Sequence, residues 1–155
     1  MRIIAALALT LILTACGFEP VYGPGGTGTK LQNRVLVDTP IDREGFLLVR
    51  QLEERLGRAG DPAYRLGIEL AVREEARAID PDGDIRRFHV IGDATYTLSD
   101  TATGAVLRSD TVDNFVGYSA TGTTVATLSA KRDAVERLMT ILADEIVLQL
   151  QASDL

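Results

Sequence analysis

The sequence predicts an α+β fold: a four-stranded mixed sheet with two helices packed on one face, in the order β-α-β-β-β-α. Three observations predict it. Apolar residues recur at spacings of three and four over 41–59 and again over 127–151, which gives each helix one buried face. Between them the pattern switches to period two, as half-buried strands require. Clusters of glycine, proline and aspartate mark the switches. No internal repeat appears, and the 155 residues suit a single domain able to bury one core.

The elements follow in order. Residues 34–37 form a short apolar first strand, stopped at Thr39-Pro40 because proline cannot extend a ladder. In the first helix Ile41, Gly45, Leu48, Val49, Leu52, Leu56 and Ala59 share a face, opposite Arg43, Glu44, Arg50, Glu53, Glu54 and Arg58. Thr39 or Asp42 caps its start, and Gly57 or Gly60 ends it. Over 64–76, Leu66, Ile68, Leu70 and Val72 alternate with Gly67, Glu69, Ala71 and Arg73, so one strand face is wet. Asp80-Pro81-Asp82-Gly83-Asp84 reads as a turn. Strands 87–98 and 106–118 flank the longer hairpin loop at 100–104. Both strands are rich in threonine and serine, with Asp93, Asp110, Asp113 and Asn114 embedded, so their outer face must be polar. The last helix runs from about 127 to 151 on a stripe of Leu128, Val135, Leu138, Leu142, Ile146 and Leu150, with Ser129 as a capping residue.

The N-terminus carries a different signal. Arg2 precedes an apolar run at 3–13, of signal-peptide length and too short to span a bilayer, which needs about 20 residues. Leu13-Thr14-Ala15-Cys16 closes that run as a bacterial lipobox does, with the lone cysteine at the cleavage point. The expectation is cleavage of residues 1–15, a covalent lipid on Cys16, a lipidated N-terminus and flexible tether over 16–30, and a single α+β domain over 31–155. As a flexible coil, residues 17–30 would reach about 20 Å. Gly17 resembles the outer-membrane sorting pattern of lipoproteins, where an aspartate retains the protein at the inner membrane. Two or more acyl chains give stable anchoring.

Composition excludes further classes. The net charge of −6 becomes one unit more negative once Arg2 is removed, which disfavours nucleic acid as a partner. With Cys16 acylated no thiol is left for a disulfide. Aromatic residues make up only 5%, with no tryptophan, which is sparse for a stacking platform. His89, the only histidine, lacks a second ligand by spacing for zinc and reads as an edge-strand side chain half in water. Asp80, Asp82 and Asp84 sit at alternate positions, but an EF-hand needs glycine sixth and glutamate twelfth, where Ile85 and Ile91 stand. No metal, no cofactor beyond the covalent lipid and no enzymatic activity are expected.

Past the lipobox, Cys16-Gly17-Phe18-Glu19-Pro20-Val21-Tyr22-Gly23 resembles the mature start of the LptE lipopolysaccharide-assembly lipoproteins. Looser likeness continues through Tyr96-Thr97-Leu98-x-Asp100 and Tyr118-Ser119-Ala120 to the final helix. The resemblance implies an outer-membrane, periplasm-facing lipoprotein that plugs and helps assemble an LptD-type β-barrel and aids delivery of lipopolysaccharide to the outer leaflet. A barrel lumen is polar, so the Thr/Ser/Asp strand faces would suit it, although an ordinary solvated face fits those residues equally. Lipopolysaccharide phosphates would be met by arginine and lysine pairs; the candidates are Arg86, Arg87, Lys131 and Arg132. The alternative is a stand-alone periplasm-facing lipoprotein that carries or chaperones an apolar ligand.

Overall fold

The computed structural model describes residues 21–23, 26–79 and 85–153. The expected leader, the lipidation expected at Cys16 and the turn expected at 80–84 lie outside the described residues. Seven elements follow in order: α1 (Thr27–Leu31), β1 (Val35–Val37), α2 (Arg43–Leu56), β2 (Tyr64–Ile79), β3 (Ile85–Asp100), β4 (Val106–Ser119) and α3 (Thr124–Gln151). The strands form one mixed sheet in the order β1-β2-β3-β4. β1 runs parallel to β2, with Val35 opposite Tyr64 and Val37 opposite Leu66. A parallel pair needs a crossover, which α2 supplies. The remaining pairs are antiparallel hairpins.

The core lies between the sheet and the two long helices, as the two periodicities predict. From β3 it takes Val90, Ala94, Tyr96 and Leu98, every second residue; from α2 it takes Leu47, Leu48, Leu52 and Leu56. From α3 it takes Leu138, Met139, Leu142, Ala143, Ile146 and Leu150. Gly92 lies on the same β3 face because α3 passes directly over it: a Cβ there would sit 2.9 Å from Leu142 Cδ1. The local signals are equally physical. Asp42 accepts the Gly45 N–H at 2.7 Å and starts α2. Gly57 ends it at φ 75°, a region costly for residues with a Cβ. Asp100 Oδ1 accepts the Ala102 and Thr103 N–H groups and the Thr103 hydroxyl, which holds the β3–β4 turn.

Four expectations need correction. The tether does not extend to residue 30. Residues 27–31 form α1, which buries Gly28 and Leu31 and places the Thr27 hydroxyl on the Ser153 carbonyl at the end of α3. Five residues show no periodicity, and only the i,i+3 pair of Gly28 and Leu31 marks the turn. α3 begins at Thr124, capped by the Thr123 hydroxyl on the Ala126 N–H, so Ser129 is an internal helical residue. Ile41 and Leu128 are 99% and 49% exposed. Ile41 precedes α2, and Leu128 belongs to the first turns of α3, most of whose residues are exposed. Finally, β3 lies between β2 and β4, so His89 is on a central strand and not on an edge.

Candidate functional site

The helices α2 and α3 run parallel. Arg43 and Glu44 share a cleft with Leu128, Lys131 and Arg132; further along, Leu47, Arg50 and Gln51 face Asp133, Glu136 and Arg137; at the far end Arg55 pairs with Asp144. Both helix N-termini, each carrying roughly half a positive charge, therefore lie at one end of the molecule. The start of β3 is there too, since the Ala120 N–H, just beyond β4, donates to the Arg86 carbonyl at 3.0 Å. The opposite end holds α1, the β3–β4 turn and the end of α3, where Gln151 donates to the Tyr22 hydroxyl at 2.7 Å.

The fold thus brings the sequence candidates Arg86, Arg87, Lys131 and Arg132 to one pole, but not to one surface. Strand alternation places Arg86 on the face of Phe88, toward the helices, and Arg87 on the face of His89, away from them. Adjacent arginines on a strand do not make a fork. Arg43 joins the pole instead. It read in the sequence as part of a solvated helix face, and only the parallel packing of α2 on α3 reveals its neighbours. Arg43 and Arg132 line a cleft of about 220 Å³ with Leu128 and Val135, and neither makes an ion pair among the described residues.

A second cleft, of about 340 Å³, continues past Lys131 over Leu70, Val72 and Val90. Lys131 is held there by an ion pair with Glu74 on β2. Glu74 also accepts the Tyr118 hydroxyl at 2.6 Å, and the Tyr118 ring stacks on Phe88 at 5.4 Å. Burial alone pushes the Glu74 carboxyl upward, but the hydrogen bonds from Lys131 and Tyr118 outweigh it and hold the group below its ordinary value. For Tyr118, burial and the Glu74 carboxylate act together and push the phenol well up. The pole is therefore a set of apolar-floored clefts whose rims mix Arg43, Lys131 and Arg132 with Asp42, Glu44 and Glu74.

The sheet face away from the helices is polar over its Thr/Ser rows, as their pattern predicts, but it also exposes Leu36, Leu107 and Phe115. Hydroxyl pairs cross β3 and β4, Thr95 with Thr111 at 2.9 Å and Thr97 with Ser109 at 3.1 Å. Arg73 pairs with Asp93, which faces Asp113 across the strands. Asp110 and Asn114 depart from that face: Asp110 binds Arg108, itself on the Tyr96 hydroxyl, and Asn114 donates to Glu145 of α3. His89 stacks on Phe115 at 4.6 Å, and no set of three potential metal ligands occurs among the described residues.

The structure is thus a four-stranded α+β domain with three helices, a largely polar outer sheet face and a pole where Arg43, Arg86, Arg87, Lys131 and Arg132 gather. A family model described as LptE, lipopolysaccharide-assembly, matches residues 32–150. The chain belongs to this family of non-catalytic envelope lipoproteins, whose work is lipopolysaccharide assembly alongside the transport machinery. Among solved structures it is similar to a protein classed as a lipoprotein from Caulobacter crescentus CB15, at TM-score 0.69 and 27% identity, covering 83% of this chain and 96% of that one. The rare lipoprotein B of Shewanella oneidensis shares the fold at TM-score 0.57 and 14% identity, over 77% and 92% of the two chains. A minor lipoprotein of Acinetobacter baumannii does so at 0.55 and 17%, over 77% and 89%. No curated protein matches the sequence.

Proposed function

We propose that this chain is the outer-membrane, periplasm-facing lipoprotein that plugs and helps assemble an LptD-type barrel exporting lipopolysaccharide. Family membership over residues 32–150 carries the reading, and the polar outer sheet face supports it, because a surface that docks in a polar lumen stays hydrophilic. In this reading Cys16 bears the lipid, and Arg86, Arg87, Lys131 and Arg132 meet the phosphates of passing lipopolysaccharide. A carrier of apolar ligands would need an enclosed apolar cavity; the clefts at the basic pole are instead rimmed by Asp42, Glu44, Glu74 and cations.

Extraction of the lipidated protein in mild detergent, followed by pull-down, should recover a β-barrel of much larger mass. Recovery of the protein alone would overturn the barrel partnership. Cys16→Ser should release the protein from the membrane fraction. Replacing Arg86, Lys131 and Arg132 by glutamate should lower binding of purified lipopolysaccharide at least tenfold while thermal stability stays within a few degrees. Unchanged binding would remove these residues from the ligand site.

A further inference from the structure

The two edges of the sheet are not equivalent. β1 is three residues long and pairs only as far as Leu66, whereas β2 runs on to Ile79. The Tyr64 N–H and Leu66 carbonyl face β1, the first donating to the Arg34 carbonyl and the second accepting from the Asp38 N–H. By strand alternation the N–H and C=O groups of Ile68, Leu70 and Val72 point the same way, beyond the end of β1. No hydrogen bond reaches those groups among the described residues. The chain leaves the edge at Thr39-Pro40, and the gap it leaves is a cleft of about 290 Å³. Its floor is Ile68, Leu70, Leu48 and Val49. Its only charged lining groups are Asp38, Glu69 and Asp42.

The other edge is partly blocked. On β4 the amides of Thr111 and Phe115 face outward, and each is taken by a neighbouring side chain: Asp110 Oδ1 accepts from Thr111 at 2.9 Å and Asn114 Oδ1 from Phe115 at 2.8 Å. Unpaired edges template aggregation, and proteins block them by such devices. β2 keeps its edge open beside an apolar groove.

We propose that the free edge of β2 at Ile68–Val72 is a strand-addition site for an extended partner segment that alternates apolar with basic residues. The added strand would continue the line of β1. Its backbone would pair with Ile68, Leu70 and Val72, and its inward side chains would fill the cleft between β2 and α2. On the outer sheet face its basic residues would meet Glu69; Asp38 is already paired with Arg65, and Asp42 caps α2 through the Gly45 N–H. Main-chain pairing supplies affinity in this mode of recognition, and alternate side-chain pockets supply specificity. Glu69, the groove carboxylate with no ion pair or cap among the described residues, selects against an acidic strand, and against a second copy of β2, which would bring Glu69 and Glu74 to the same place.

The test uses two fluorescein-labelled capped heptapeptides, one alternating lysine with valine and one alternating glutamate with valine, with a third lysine peptide N-methylated along the edge that would pair. Anisotropy should show the lysine peptide binding at least tenfold more tightly than either control. Hydrogen exchange should slow at Ile68, Leu70 and Val72 and stay unchanged at Thr111 and Phe115. Val72→Pro removes an outward N–H without touching the β2–β3 ladder, a placement that edge strands tolerate, and should weaken binding at least tenfold. Glu69→Lys should reverse the preference between the charged peptides, and it decides alone if Val72→Pro does not fold. Equal binding of the three peptides, protection on β4 instead of β2, or concentration-dependent self-association abolished by Glu69→Lys would each overturn the proposal.

Discussion

Gly92 is where the sheet admits α3, and its substitution tests the packing that carries the whole basic pole. A Cβ on Gly92 would lie 2.9 Å from Leu142 Cδ1 and 3.1 Å from Leu138 Cδ2. Carbon pairs rest at about 3.5–4.0 Å, so each leucine must retreat by roughly half an ångström. Neither has room, since both are fully buried. Forcing a methyl into such a core costs about 1–3 kcal/mol. Alanine offsets part of this, because glycine in a strand interior costs about 0.5–1 kcal/mol relative to alanine. Gly92→Ala should therefore lose about 0.5–2 kcal/mol, and Gly92→Val more. In urea, with a slope of about 1–3 kcal/mol/M, the midpoint falls by roughly 0.2–2 M. Gly67 is the control. It sits on the outer face, where an added Cβ meets only Asp38 Oδ2 at 3.4 Å and the Thr97 carbonyl oxygen at 3.9 Å, so Gly67→Ala should hold or raise the midpoint. A Gly92→Ala protein as stable as wild type would refute the close approach of α3.

Other perturbations have equally defined signs. Tyr96→Phe removes a buried hydroxyl that donates to Gln149 at 2.7 Å and accepts from Arg108 at 3.1 Å, at a cost of about 1–2 kcal/mol in chemical denaturation. Gly57→Ala puts a Cβ 2.0 Å from Asn33 Oδ1 at a positive φ, and should cost at least about 1–3 kcal/mol in the same assay. Because the Glu74 carboxyl is held below its ordinary value, the stability it adds is complete above about pH 4.3 and is lost as the pH falls through its folded value. Glu74→Gln should therefore flatten the acid limb of a thermal-melt series. It should also free Lys131 and tighten binding of a phosphorylated lipid at neutral pH.

Periodicity made the long elements legible, because a 3.6 repeat and a 2.0 repeat each state which face is buried before any partner is known. Alternation along β2 and β3 located the core face, and Asp42 and Gly57, among the alternatives, proved to be the α2 boundaries. What escaped depends on distant neighbours. Five residues of α1 carry no period, and Leu31 becomes a core residue only through packing against distant elements. Arg43 joined the basic pole through a helix–helix packing that no local pattern encodes. The pair Arg86-Arg87 illustrates the reverse: adjacency in sequence suggested one cluster, and strand geometry divided it between two faces. The open edge of β2 was equally hidden, since it follows from β1 ending early on a neighbouring strand.

The position of α1 bears on how the basic pole meets its ligand. Residues 21–31 are tied to the end of α3 through Tyr22, Thr27 and buried Leu31. Any chain of five residues between the lipid that we propose on Cys16 and Val21 spans at most roughly 18 Å, at about 3.3–3.6 Å each. From Gln151, at that attachment, back to Lys131 the helix α3 rises about 30 Å. A Debye length of about 8 Å screens the pole from the headgroups under its own anchor. Phosphates bound there, as we propose, would then belong to a molecule brought to the pole and not to the lipids beside the proposed anchor. A fluorophore at Ala152 in vesicle-bound lipidated protein should be quenched by headgroup-labelled lipid, while one at Val125 stays bright. Equal quenching would lay α3 flat on the membrane and remove the reason for keeping its two ends so different.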